Sequence, residues 1–150
     1  MPTRDLATPI EDRNAIDWLA LSLDGWQPNH HLNAATIEQI PSIIEQIDRL
    51  LQPAGQTAAA RELDRLFSVL PMPTRHEGAP DPIEIWLELV GSYPADAIRR
   101  AVNALIAGYH WPRPPLPGDL MQHLSTDRRL FELRKLRVKA SVALAAHGAT

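Results

Sequence analysis

Cysteine is absent from the 150-residue chain, so neither a disulfide framework nor a thiolate metal site holds it together, and stability must come from packing. No apolar run approaches the roughly 18 residues that a membrane span requires. The acidic, proline-bearing N-terminus also lacks the basic and apolar regions of a signal peptide. Together these absences predict a cytoplasmic protein with no membrane partner. Glycine-rich phosphate loops are missing too: neither GxxxxGK[ST] nor GxGxxG occurs, which argues against a nucleotide-driven motor.

Chemistry-bearing clusters are equally scarce. His30 and His31 are adjacent, but neighbours on an extended chain point apart and no further ligand sits at metal spacing, so a solvated loop is the preferred reading. Glu84 and Glu88 lie four apart without an accompanying Glu-x-x-His repeat and read as a solvated helix face. Ser92 and Ser125 have neither a strand-turn-helix elbow nor an identifiable histidine. The expectation is a protein that is not an enzyme and that uses no cofactor, metal or small-molecule substrate.

What is present is helical patterning. Ile16, Trp18, Leu19, Leu21 and Leu23 form a short apolar patch that stops at Asp24-Gly25 and predicts a short helix, followed by a loop over 26–33. Ile37, Ile40, Ile43, Ile44, Ile47, Leu50 and Leu51 recur at three and four, with Pro41 either opening the principal helix or kinking a longer one. A second stripe, Leu63, Leu66, Phe67 and Leu70, follows Pro53-Ala-Gly55, and the two stripes predict a helical hairpin.

The clearest helix start is Asp81 as N-cap, Pro82 in the first turn and Glu84 three residues after the cap. That helix should carry Ile85, Trp86, Leu89 and Val90 along one side and end near Gly91. Pro94 opens another, striped by Ala97, Ile98, Ala101, Val102, Leu105 and Ile106, with Gly108 as its expected C-cap. The short link should make these two helices neighbours in space. Four prolines in the seven residues 111–117 predict an extended, polyproline-like strap over the core, the alternative being a ligand for a proline-reading domain. Pro117 and Asp119 then lead into a helix with Leu120, Met121 and Leu124. No convincing strand, repeat or low-complexity tract occurs.

The predicted fold class is therefore all-α: a small multi-helix bundle with a proline-rich strap and a C-terminal basic amphipathic helix. The expected division is an N-terminal extension, short helix and linker over 1–35, a helical core over 36–125, and a basic helix and tail over 126–150.

Charge is unevenly spread. Residues 1–98 carry six basic and fifteen acidic side chains, whereas residues 99–150 carry nine basic and three acidic ones. Either the C-terminal part meets something negative, nucleic acid or an acidic protein surface, or the two parts attract one another within the fold. Arg128, Arg129, Arg134, Lys135, Arg137 and Lys139 crowd around Leu130, Leu133 and Leu136 and are the candidate partner or nucleic-acid contacts. Leucine spacing supports packing on the domain; charge density supports contact with a partner. Beyond Tyr93 the basic part holds only Tyr109, Trp111 and Phe131 as aromatics, and none is interleaved with arginine as a base-stacking platform would require.

One tract resembles a known pattern. Trp86, Val90 and Tyr93 on one helix, Ala101-Val102 on the next, then Trp111-Pro112, Pro114-Pro115 and Asp119-Leu120, are similar to the N-terminal helical domain of phage replicative-helicase loader and inhibitor proteins. The resemblance implies a small all-helical protein of phage or prophage DNA replication in the host-cell cytoplasm, with a hexameric replicative helicase as partner. On that reading Trp86, Tyr93 and Trp111 build the scaffold and the basic helix makes the contact. The alternatives are DNA or other nucleic-acid binding through the same helix, or inhibition of a host protein by a phage product.

Overall fold

The computed structural model describes residues 12–74, 76–79 and 81–148, and the start of the N-terminal extension expected over 1–35 lies outside them. Among the described residues seven helices follow one another: α1 (Asp12–Ser22), α2 (Ala34–Leu51), α3 (Gly55–Val69), α4 (Pro82–Val90), α5 (Ala95–Gly108), α6 (Pro117–Ser125) and α7 (Arg128–Gly148). Among the described residues no strand forms; one isolated bridge pairs Pro53 with Pro94. The fold is all-α.

The described residues divide into two compact units, one drawn from 12–50 with 132–148 and the other from 51–131. This differs from the division expected from sequence. α1 and α2 share a unit with most of α7, and the boundary falls at the end of α2 and after the first turn of α7.

In the first unit α1 stops where the sequence says it should. Leu23 N–H still bonds Leu19 O at 2.9 Å, and Gly25 then takes a φ of 72°, a left-handed conformation that glycine adopts without a side-chain clash. α2 begins three residues before the first isoleucine of its stripe because Asn33 caps it: the Asn33 Oδ1 accepts from Thr36 N–H at 2.7 Å. The helix runs through Pro41, which lies on the exposed side and deprives one carbonyl of its helical donor. Ile16, Leu19, Leu23, Ile40, Ile43 and Ile47 are buried here, as are Leu133, Leu136, Ala140 and Ala143 of α7. The loop at 26–33 is less solvated than its composition suggests. Trp26 is buried, its ring 6.0 Å from that of His147, and His31 lies 6.2 Å from His147.

The second unit is built on Trp86, which is 1% exposed and meets Phe67 edge-on at a ring separation of 5.3 Å. Leu63 and Leu66 of α3, Val90 of α4, Ile98, Val102 and Leu105 of α5, and Leu120 and Leu124 of α6 complete one cluster with it. α3 and α6 each pack against both α4 and α5. α4 and α5, joined by their short link, thus share one core with α3 and α6. Of the α2 stripe, Leu51 packs against the cluster that the α3 stripe joins, while Ile40, Ile43 and Ile47 lie outside that cluster.

Local signals explain the ends of these elements. The Asp81 carboxylate accepts from Ile83 N–H at 3.0 Å and Pro82 occupies the first turn of α4. α4 ends at Val90 as expected, but its apolar side splits: Trp86 and Val90 turn inward while Ile85 and Leu89 remain exposed. Gly91 N–H bonds Leu87 O at 2.9 Å, and Ala54 N–H and Gly55 N–H reach Tyr93 O and Gly91 O at 2.9 and 3.1 Å, which ties the start of α3 to the α4–α5 turn. Gly108 is the last residue of α5 rather than its cap; Tyr109 takes the cap position with an extended backbone. A buried carboxylate, Glu62 of α3, accepts from Arg65 Nε and Nη2 at 3.2 and 2.8 Å and from Arg99 Nε of α5 at 3.2 Å.

Candidate functional site

The basic helix starts from a tightly held carboxylate. Asp127 precedes α7 and its Oδ1 accepts from Leu130 N–H at 2.8 Å, so one of the unpartnered amides of the first turn is satisfied. Arg100 of α5 grips the same carboxylate, Nε to Oδ2 at 2.9 Å and Nη2 to Oδ1 at 3.0 Å. Burial pushes the Asp127 carboxyl up, but the hydrogen bond from Arg100, the backbone bond from Leu130 and the Arg100 charge outweigh it and hold the group below its usual 3.8. Asp127 thus fixes where α7 begins and anchors it to α5.

From there α7 presents two faces. Leu130, Leu133, Leu136, Ala140 and Ala143, spaced three and four apart, are buried. On the opposite side Phe131, Val138 and Val142 are 62%, 65% and 41% exposed. They are seven and four residues apart and so form a second apolar line along the helix. Arg128 precedes Phe131 by one turn, and Arg134 and Lys135 fall between Phe131 and Val138 on this outward side; Arg128, Arg134 and Lys135 are exposed.

The six candidate cations therefore have different circumstances. Arg128, Arg134 and Lys135 share the outward line with the apolar residues, whereas Arg129, Arg137 and Lys139 are half-buried. Arg137 faces α2, where its Nε donates to Asp48 Oδ1 at 2.7 Å and its Nη2 to Asp48 Oδ2 at 3.3 Å, and it also bonds Ser141 Oγ. Attraction between the acidic and basic parts of the chain is thus realised at Asp48 with Arg137 and at Glu62 with Arg99. Phe131, Val138 and Val142 escaped the sequence reading, although their seven- and four-residue spacing was its available signal.

The expected scaffold aromatics separate as well. Trp86 is the core residue anticipated and Tyr93 packs partly buried against its cluster, but Trp111 is 56% exposed and is not a core residue. Residues 111–116 of the strap are non-helical while Pro117 already opens α6, and it is Pro115 that is buried. Beside Trp111 the His110 ring stacks at 5.3 Å with an interplanar angle of 21°, and the Arg113 guanidinium carbon lies 5.9 Å from the indole centroid. The expectation that no aromatic of the basic part is interleaved with arginine is corrected here. Only Pro112 separates Trp111 from Arg113, and the bend between them, closed by Tyr109 Oη donating to Arg113 O at 2.9 Å, brings ring and guanidinium together.

Among the described residues no group of three or more His, Asp or Glu is placed to hold a metal ion, and no helix is long and apolar enough to cross a membrane. No protein-family model matches the chain, and no curated protein or solved structure matches it.

Proposed function

We propose that the protein is a non-enzymatic adaptor of phage or prophage DNA replication that docks on a replicative helicase through the outward side of α7. The observation that carries the adaptor reading is the line of Phe131, Val138 and Val142 set among Arg128, Arg134 and Lys135. An apolar line flanked by cations suits a protein groove edged with carboxylates. A helix that served phosphates alone would gain nothing from exposing a phenylalanine and two valines. Covering each of those three side chains is worth about 1–2 kcal/mol, given that full burial of such a side chain contributes roughly 1.5–3 kcal/mol. The cations steer and orient the encounter. The likeness of residues 86–120 to helicase loaders supplies the partner class.

Comigration of the full chain with a hexameric replicative helicase on sizing tests the proposal. Val138→Asp and Lys135→Glu should each abolish or strongly weaken the complex while leaving the thermal midpoint nearly unchanged, because both side chains are exposed. Absence of a complex at micromolar concentration with the helicase of the same phage or host refutes the helicase reading. Retention of full affinity by both variants refutes the assignment of the surface. Within the complex, stimulated or suppressed transfer of the helicase to DNA separates a loader from an inhibitor.

A further inference from the structure

We infer that the Trp111 ledge is a stacking site for the bases of a single-stranded nucleic acid. It lies in the strap between α5 and α6 and stands on its own observations.

A tryptophan that the sequence places beside four prolines would be expected to cover the core, yet Trp111 is 56% exposed. The backbone that presents it is stiff. Pro112, Pro114 and Pro115 restrict it, Pro115 is buried, and Tyr109 Oη clasps Arg113 O at 2.9 Å. A side chain mounted on such a backbone loses little freedom when it is covered. The surroundings match a base more closely than other flat ligands. His110 extends the aromatic surface at 5.3 Å, and the Arg113 guanidinium beside the indole supplies a cation that reaches both a π-face and a phosphate.

Arg113 is itself lightly held. Its ion pair with Asp119 spans 3.6 Å, its Nη1 donates to Pro114 O at a long 3.3 Å, and its side chain is 48% exposed, so a phosphate competes only with weak, exposed bonds. A cationic ligand would meet Arg113 at the ring. A proline-rich peptide would need a groove between aromatic rings, and Tyr109, the nearest such ring in sequence, is partly buried against the core with its hydroxyl committed to Arg113 O. A duplex keeps its base faces covered, so an isolated indole selects single strands. Base faces are common to DNA and RNA, and both are within the inference.

The test is fluorescence anisotropy of labelled oligo-dT and oligo-rU of roughly ten nucleotides, within the usual site size, against the full chain at low salt, with a duplex of equal length beside them. Single strands should bind more tightly than the duplex. Trp111→Ala should weaken single-strand binding about tenfold, within the range that one base–aromatic stack supplies, and Trp111→Phe should weaken it less. Arg113→Gln should reduce the salt slope by about 0.7, the loss of one phosphate contact to a single strand. Preference for oligo-rU over oligo-dT would assign the ligand to RNA, and the reverse to DNA. The inference is overturned if the full chain fails to bind either single strand, if Trp111→Ala binds as the unaltered protein does, or if only Lys135→Glu on α7 removes binding. Thermal melts of the Trp111 variants should match the unaltered protein, and Trp111→Phe keeps the test informative should the alanine variant misfold.

Discussion

Glu62 offers a sharp test of how the second unit is held, because the three members of its ion-pair group are unequally buried. The carboxylate is 7% exposed, whereas the Arg65 and Arg99 side chains are 40% and 63% exposed. Taking a charge out of water is the costly step, and here the anion has been taken out while its cations remain half in solvent. Replacement by a flexible apolar side chain of similar length, Glu62→Met, removes the buried charge, leaving Arg65 its bond to Asn103 Oδ1 at 2.7 Å and both guanidinium groups their access to water. The expected change is within about 1 kcal/mol of the unaltered protein.

Removing the cations has the opposite consequence. Arg65→Ala leaves Glu62 Oε1 without the two donors it has at 3.2 and 2.8 Å, which should cost about 2–3 kcal/mol. Removing Arg99 as well strands the whole carboxylate and should cost about 3–5 kcal/mol. The variants would be compared by urea unfolding at pH 7, where a difference of 2–3 kcal/mol moves the midpoint by roughly 1–2 M at usual slopes. Near-ultraviolet circular dichroism, to which the buried Trp86 contributes, would report on this unit. If Glu62→Met loses as much stability as the Arg65→Ala/Arg99→Ala double variant, the burial asymmetry is not what governs the group and the reasoning fails.

Asp127 should act as a pH-dependent anchor. Its carboxyl is held below 3.8 in the folded protein, so its contribution is complete above the ordinary value and is lost as pH falls through the lowered one. Asp127→Ala should therefore destabilise the protein by about 1–2 kcal/mol at neutral pH, as the loss of a helix cap does, with the difference from the unaltered protein shrinking in acid when melts are run at descending pH. Two glycine substitutions should move in opposite directions. Gly108 is helical and a Cβ there meets nothing within 4 Å, so Gly108→Ala should raise stability by about 0.5–1 kcal/mol. Gly25 has a φ of 72°, so Gly25→Ala should lower stability by about 1–2 kcal/mol even though space is open around it. Chemical denaturation of the pair decides both, and two shifts of the same sign would contradict the backbone argument.

The helices were legible in the chain because their signals are local. The isoleucines of α2, the Asp81-Pro82 start of α4 and the Asp24-Gly25 stop of α1 each specify conformation within one or two turns. Pairing between helices was not legible, since a stripe says that a face is buried and not against what. α2 and α3 lie on either side of a short break, yet Leu51 packs against the cluster of Leu63 and Leu66 whereas Ile40, Ile43 and Ile47 lie outside it. The same restriction applies to polar pairs: Asp48 and Arg137 stand 89 residues apart, and only the fold brings them within 2.7 Å.

The candidate sites were hidden for two further physical reasons. On α7 the leucines and the cations were visible, but a single-period reading of the helix allows one apolar face, and α7 has two. Phe131, Val138 and Val142 were absorbed into the average of a helix whose other side is buried. In the strap, proline density gave the extended conformation without giving the direction in which each side chain leaves it. Pro115 goes inward and Trp111 outward, although composition alone argues for burying the indole first. A single exposed apolar side chain is common on protein surfaces; apolar groups aligned on one side of a helix, or a ring set beside a second ring and a guanidinium, are the more informative departure. That is why the functional argument rests on Phe131, Val138, Val142 and Trp111 and not on the count of positive charges.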